Sequence, residues 1–77
     1  MDNVYEEEIR KEGNDCYMNR KVIVTKTSIG SSMVYIITGM WQLHGSWVDG
    51  GIHVESSVHK TSEQDVIERA KYWLHEC

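Results

Sequence analysis

The chain has 77 residues, 40% of them apolar, enough for one small core and too few for two, so a single domain over residues 1–77 is expected. Twelve acidic residues against eight basic give a formal charge of −4, with no Lys/Arg cluster beyond short pairs such as that in Asn19-Arg20-Lys21, which argues against a nucleic-acid partner. Its apolar runs fall far short of the roughly 20 residues that span a bilayer, and Cys16 and Cys77 form no disulfide framework behind a secretory leader, so a cytoplasmic chain with reduced thiols and no membrane contact is expected.

Proline is absent, so Gly, Asn and Ser punctuate the chain at "EGND", "SIGSS" and "VDGG". From Asp2 to Glu12, Val4, Tyr5 and Ile9 lie near one helical face, Asp2 offers a cap and Gly13 a stop. Residues 1–14 are therefore expected as a short helix or, given Glu6 to Glu8, as a weakly ordered acidic arm.

The stretches "KVIVTKTS" and "SSMVYIITGMW" are rich in β-branched residues and flank a Gly-Ser turn, so they predict a hairpin. Centring its turn on Gly30-Ser31 places Val24 opposite Ile37 and Lys26 opposite Tyr35. Asp49-Gly50 predicts the next turn, because the type I′ turn needs φ > 0 at both central positions and Asp-Gly tolerates this. That turn sets Trp47 opposite Ile52, Ser46 opposite His53 and His44 opposite Glu55.

The C-terminal segment predicts a helix. Thr61 or Ser62 can cap it with Gln64 or Asp65 at capping-box distance, and Val66, Ile67, Ala70, Trp73, Leu74 and Cys77 recur at helical spacing. The expected fold class is thus α+β, a three-stranded antiparallel β-meander packed on a C-terminal helix, ordered αβββα or βββα. The first of these orders is similar to that of the double-stranded RNA-binding domain. That family's Gly-Pro-x-His loop has no match here, and "KTSEQDVIERAK" puts Glu63 and Asp65 where phosphate-facing lysines belong, so no family is assigned.

Strand alternation sorts the side chains into two faces. Val22, Val24, Tyr35, Ile37, Trp41, Leu43, Trp47, Ile52, Val54 and Val58 form the expected helix-facing side. The opposite side takes Ile23, Thr25, Val34, Ile36, Thr38, Met40, His44, His53 and Glu55, with Gln42, Ser46, Ser57 and His59. A strand running from Met33 to Val48 exceeds the usual roughly 5–6 residues, so Gly39 or Gly45 is expected to bend or bulge it, and a one-residue bulge would exchange the faces beyond.

Catalysis finds little support. Ser46, His53 and Glu55 share a face on this register, but an open strand pair supplies neither an oxyanion hole nor a dry cleft. His53 and His59 lie roughly 20 Å apart along a strand, and no metal-ligand spacing, phosphate loop or cofactor motif occurs. The expected function is therefore a small non-enzymatic protein-interaction module, such as a phage-type inhibitor or accessory protein acting on a host protein and self-associating as a dimer.

Its partner-binding face would comprise Ile23, Thr25, Val34, Ile36, Thr38, Met40, His44, His53 and Glu55, with apolar anchors inside a polar surround. The alternative is a small-molecule binder, for a nucleotide-like ligand, with a pocket at an oligomer interface. There Trp41, Trp47 or Tyr35 would stack on a ring, and His44, His53 or Arg20 would meet polar groups.

Overall fold

The computed structural model describes residues 2–10, 19–43 and 45–75. Among them are four strands, β1 (Asp2–Ile9), β2 (Arg20–Ile29), β3 (Ser32–Leu43) and β4 (Ser46–Ser57), followed by one helix, α1 (Glu63–His75). The strands form a single sheet in the order β1-β2-β3-β4, each neighbouring pair antiparallel. The α+β class expected from the sequence is observed, with four strands in place of three and no N-terminal helix. No helix among the described residues is long and apolar enough to cross a membrane.

The β2–β3 hairpin has the expected register, Val24 facing Ile37 and Lys26 facing Tyr35. Gly30 closes it with φ 63°, a left-handed conformation that glycine adopts without steric cost. The pairing puts Val22, Val24, Tyr35 and Ile37 on one face, where Val66, Ala70 and Leu74 of α1 meet them, and these seven residues are the buried apolar core. The helical repeat i, i+4, i+8 and the strand alternation thus bury the same small volume from opposite sides.

The acidic N-terminal segment is a strand, and this corrects both the helix and the disordered arm. Its Tyr5, Glu7 and Ile9 pair with Val24, Val22 and Arg20 and so face α1, while Glu6 and Glu8 point to the other side. A register shift between Asn3 and Tyr5 sets Val4 out of alternation, which is why the apolar positions imitate a helical spacing. Contacts to α1 hold the strand: the Lys71 ammonium lies 5.4 Å from the centre of the Tyr5 ring, and His75 Nε2 is 3.3 Å from Glu7 Oε2. The Tyr5 hydroxyl also donates to Glu7, and burial, reinforced by that carboxylate, pushes the Tyr5 pKa up to about 12.

The β3–β4 turn also differs from expectation. The chain reverses between Leu43 and Ser46, which face each other, with Gly45 at φ 84°. Asp49-Gly50 is not a turn; it lies inside β4. The ladder shifts register between Gly39 and Met40, since Ile52 faces Gly39 whereas Asp49 faces Met40, leaving Gly50 and Gly51 as an extra pair on β4. The earlier turn wins because it gives β3 a partner along its whole length: a turn at Asp49-Gly50 would spend Ile52 to Val58 on Trp41 to Trp47, whereas the observed one adds the pairs from Val34–Ser57 to Gly39–Ile52. Two inserted residues preserve parity, so β3 keeps its faces through Gly39 and the anticipated exchange does not occur.

Gly39 itself is buried beneath the Trp73 ring. A Cβ there would lie 2.6 Å from Ile52 Cγ2 and 2.7 Å from Trp73 Cη2. Trp73 is fixed in turn by Trp41, 6.4 Å away between ring centres, and by Arg20, whose guanidinium lies 5.4 Å from the ring centre and donates to the Trp73 carbonyl at 3.1 Å.

At the start of α1, Ser62 Oγ accepts the Asp65 backbone N–H at 3.2 Å, and the Ser62 carbonyl accepts that of Val66 at 3.2 Å. Ser62 is therefore the N-cap, and Glu63 and Asp65 place negative charge in the first turn, where the helix dipole favours it. Ser62→Ala is expected to cost about 1 kcal/mol, read as a lower midpoint in urea with an unchanged slope.

Candidate functional site

With α1 on one side, the opposite face of the sheet is uncovered among the described residues. The registers place Ile23, Thr25, Val34, Ile36, Thr38, Met40, His53 and Glu55 together on it, as the alternation predicts. His44, assigned to the same face from the sequence, lies outside the described residues.

Four rows cross this face from β1 to β4: Glu8-Lys21-Met40-Asp49, Glu6-Ile23-Thr38-His53, Asn3-Thr25-Ile36-Glu55 and, from β2, Thr27-Val34-Ser57. The inner strands thus carry the apolar and threonine side chains and one cation, Lys21, and the outer strands carry the carboxylates and His53. Ile23, Val34, Ile36 and Met40 are each half-buried by their neighbours, whereas Glu6, Glu8, Asp49, His53 and Glu55 are exposed. Acidic groups dominate the rim. Glu8 is 3.2 Å from Arg10, and His53 Nε2 is 3.3 Å from Glu55 Oε2, both at the surface where such pairs contribute little to stability.

Trp47 is the residue that sequence reasoning put on the wrong side. It pairs with Gln42 and so extends the uncovered face, with the Lys21 ammonium 4.5 Å from its ring centre. The expected oppositions of Trp47 with Ile52, Ser46 with His53 and His44 with Glu55 all fail, because the turn lies at Gly45. His53 faces Thr38 and Glu55 faces Ile36, while Ser46 sits at the far end of β4 on the helix side. Ser46, His53 and Glu55 therefore do not converge as a nucleophile, base and orienting acid would have to. The signal for Trp47 was available as Gly45, which offers an alternative two-residue turn and moves Trp47 across the sheet when used.

The aromatic set for ring stacking is dispersed as well. Tyr35 is 5% exposed in the core, Trp41 leans on Trp73 on the helix side, and Trp47 is on the other face. Arg20 is engaged with Trp73. Among the described residues no group of three or more His, Cys, Asp or Glu is placed to hold a metal ion. Cys16 and Cys77 lie outside the described residues.

The helix side has a concavity among the described residues. Helix α1 packs across β2, β3 and β1 and leaves β4 beside it rather than beneath it. The resulting groove, about 310 Å³, has Ile37 and Val66 at its base and Ser56, Thr61, Asp65 and Arg69 along its walls. No sequence pattern announces it, because the lateral offset of a helix on a sheet leaves no mark in periodicity. No protein-family model, curated protein or solved structure matches the chain, so its fold and surfaces stand on their own geometry.

Proposed function

We propose that this protein is a small non-enzymatic interaction module that binds a protein through the uncovered sheet face, in the manner of a phage-type inhibitor or accessory protein acting in the cytoplasm. The observation that carries this reading is the sorting of that face, with Ile23, Val34, Ile36 and Met40 on the inner strands inside a charged rim on the outer ones. Interfaces have this anatomy: a desolvated apolar centre provides affinity and a polar rim provides register. Glu6, Glu8, Asp49 and Glu55 on the rim favour a partner whose apolar contact is ringed by Lys or Arg.

Trp47 joins the set, as a large ring at the end of the stripe and a residue type over-represented among interface hot spots. The test is a photo-crosslinking residue at Thr38, combined with Ile36→Glu. The reading expects a crosslink to a discrete partner that Ile36→Glu weakens at least tenfold while the melting temperature stays within a few degrees. Ile36→Glu with full stability and undiminished crosslinking would exclude this face.

The second reading, a small-molecule binder, is supported by the groove beside α1 rather than by the tryptophans. Arg69 offers a fork for a carboxylate or phosphate and Asp65 an acceptor for an amine, above the apolar Ile37 and Val66. On this reading, Arg69→Ala abolishes thermal stabilisation of the protein by nucleoside phosphates, and Ile36→Glu leaves it intact. Absence of such stabilisation in the unmodified protein would dismiss it.

A further inference from the structure

We infer that two copies of this chain join through their β4 edges, pairing antiparallel about Val54 to make one continuous eight-stranded sheet. The two outer strands of the monomer differ in their fitness for this. On β1, Glu6, Glu7 and Glu8 run consecutively, so self-pairing there would set glutamates against glutamates, a usual protection of an edge. The β4 edge between Ile52 and Ser57 carries Ile52, His53, Val54, Glu55, Ser56 and Ser57, with one acid and one histidine, and α1 does not cover it.

The register follows from hydrogen-bond direction and charge. The Val58 N–H donates to the Met33 carbonyl at 3.1 Å, and the β3–β4 pairing continues from there through Ser56, Val54 and Ile52. In an antiparallel ladder the N–H and C=O of a residue point to the same side and alternate along the strand. Those of Ile52, Val54 and Ser56 therefore point to β3, and those of His53 and Glu55 point outward, available to a second strand, while the Ser57 carbonyl already accepts the Lys60 and Thr61 N–H groups at 3.1 Å.

A two-fold axis between antiparallel strands must centre on one residue facing its own copy. Centring on Glu55 would oppose two carboxylates directly, and centring on His53 would oppose two imidazoles. Centring on Ile52 would face Asp49 with Glu55. Centring on Val54 sets His53 against Glu55 of the second copy, twice, at positions whose backbone groups are the outward ones. Backbone polarity admits each of these registers, since all of them pair outward-pointing residues with one another, and charge selects Val54 among them; both side chains are exposed in the monomer.

This symmetry has a structural consequence. The axis stands perpendicular to the sheet, so both helices lie on one side, and the two grooves beside α1 open onto a shared valley floored by Ile52 and Val54 of each copy. On the other side the apolar stripes become parts of one face. The inference does not rest on the binding reading proposed above, because it uses the edge of the sheet and not its uncovered face.

Sedimentation velocity across a concentration series tests it, on the full chain and on His53→Glu, Glu55→His and the double swap. The expected result is a dimer whose dissociation constant rises about tenfold or more in each single variant, where like groups meet across the axis, and returns to within about threefold in the double variant. Glu55→Pro, at an outward-pointing N–H that β3 does not use, should abolish the dimer with the melting transition retained. In a Cys16→Ser/Cys77→Ser background, Val54→Cys should crosslink the dimer, since facing Cα atoms at such a position are about 4.5 Å apart. A chain that stays monomeric near 1 mM, or a dimer indifferent to the single swaps and to Glu55→Pro, would overturn the inference; a dimer weakened by the singles and not restored by the double would overturn the Val54 register.

Discussion

Replacing Gly39 with alanine is expected to destabilise the protein by about 1–3 kcal/mol, although alanine in place of a strand glycine ordinarily stabilises by about 0.4–1 kcal/mol through the unfolded chain. The sign reverses because the new methyl would lie 2.6 Å from Ile52 Cγ2 and 2.7 and 2.8 Å from two atoms of the Trp73 ring. The ring cannot simply retreat. Moving it loosens its contact with Trp41 and with the Arg20 guanidinium, and Arg20 is also bonded to the Trp73 carbonyl. A shorter ring should relieve the overlap, so the Gly39→Ala/Trp73→Phe double variant is expected to lose less stability than the two single losses added together. Urea denaturation of the four proteins in the cycle measures this coupling. Strict additivity would show that Gly39 is not held by Trp73.

Leu74→Ala is expected to have the larger effect, about 2–5 kcal/mol. Leu74 is 0% exposed and meets Val22, Val24 and Ile37 in a core of seven buried residues. A core this small has few neighbours able to close over the lost methyl groups, so much of the cavity would persist. Against a total stability of roughly 5–15 kcal/mol, the variant should lose about 10 °C or more in Tm. Tyr72→Ala provides the control on the same helix. That side chain is 70% exposed, and its removal should change stability by no more than about 0.5 kcal/mol. Comparable losses from the two would mean that α1 does not present its Val66-Ala70-Leu74 stripe to the sheet.

Much of the candidate binding face was legible because it depends on strand alternation alone. Ile23, Thr25, Val34, Ile36 and Thr38 lie on the hairpin whose turn residues are unambiguous, and their shared side follows once Gly30 is placed at the bend. His53 and Glu55 kept their side for a less secure reason. The true turn lies elsewhere, but the two-residue excess at Gly50-Gly51 preserves parity along β3 and on β4 beyond the bulge, so Ile52 and Val54 still face the helix. Trp47 lay on the near side of that excess and had no such protection.

Residues 2 to 9 show the complementary failure. Three consecutive glutamates have little intrinsic strand preference, and with Val4, Tyr5 and Ile9 they read as helical or unstructured. The strand forms because β2 offers a free edge and because Lys71 and His75 of α1 meet Tyr5 and Glu7. Neither influence is local to the segment.

The amino-acid sequence by itself determined the β2–β3 hairpin and its register, the C-terminal helix with its cap narrowed to Thr61 or Ser62, and the membership of both faces along the central strands. Each of these follows from interactions among residues near in sequence or from a period read directly off the chain. Tertiary structure alone decided that the acidic segment becomes a strand, that the last hairpin turns at Gly45 while Asp49-Gly50 becomes part of a bulge, and that α1 lies off β4 and leaves a groove. Those outcomes depend on which distant backbone groups find partners and on how Trp73 fits over Gly39, and such competition between whole arrangements leaves no signature in any single stretch of sequence.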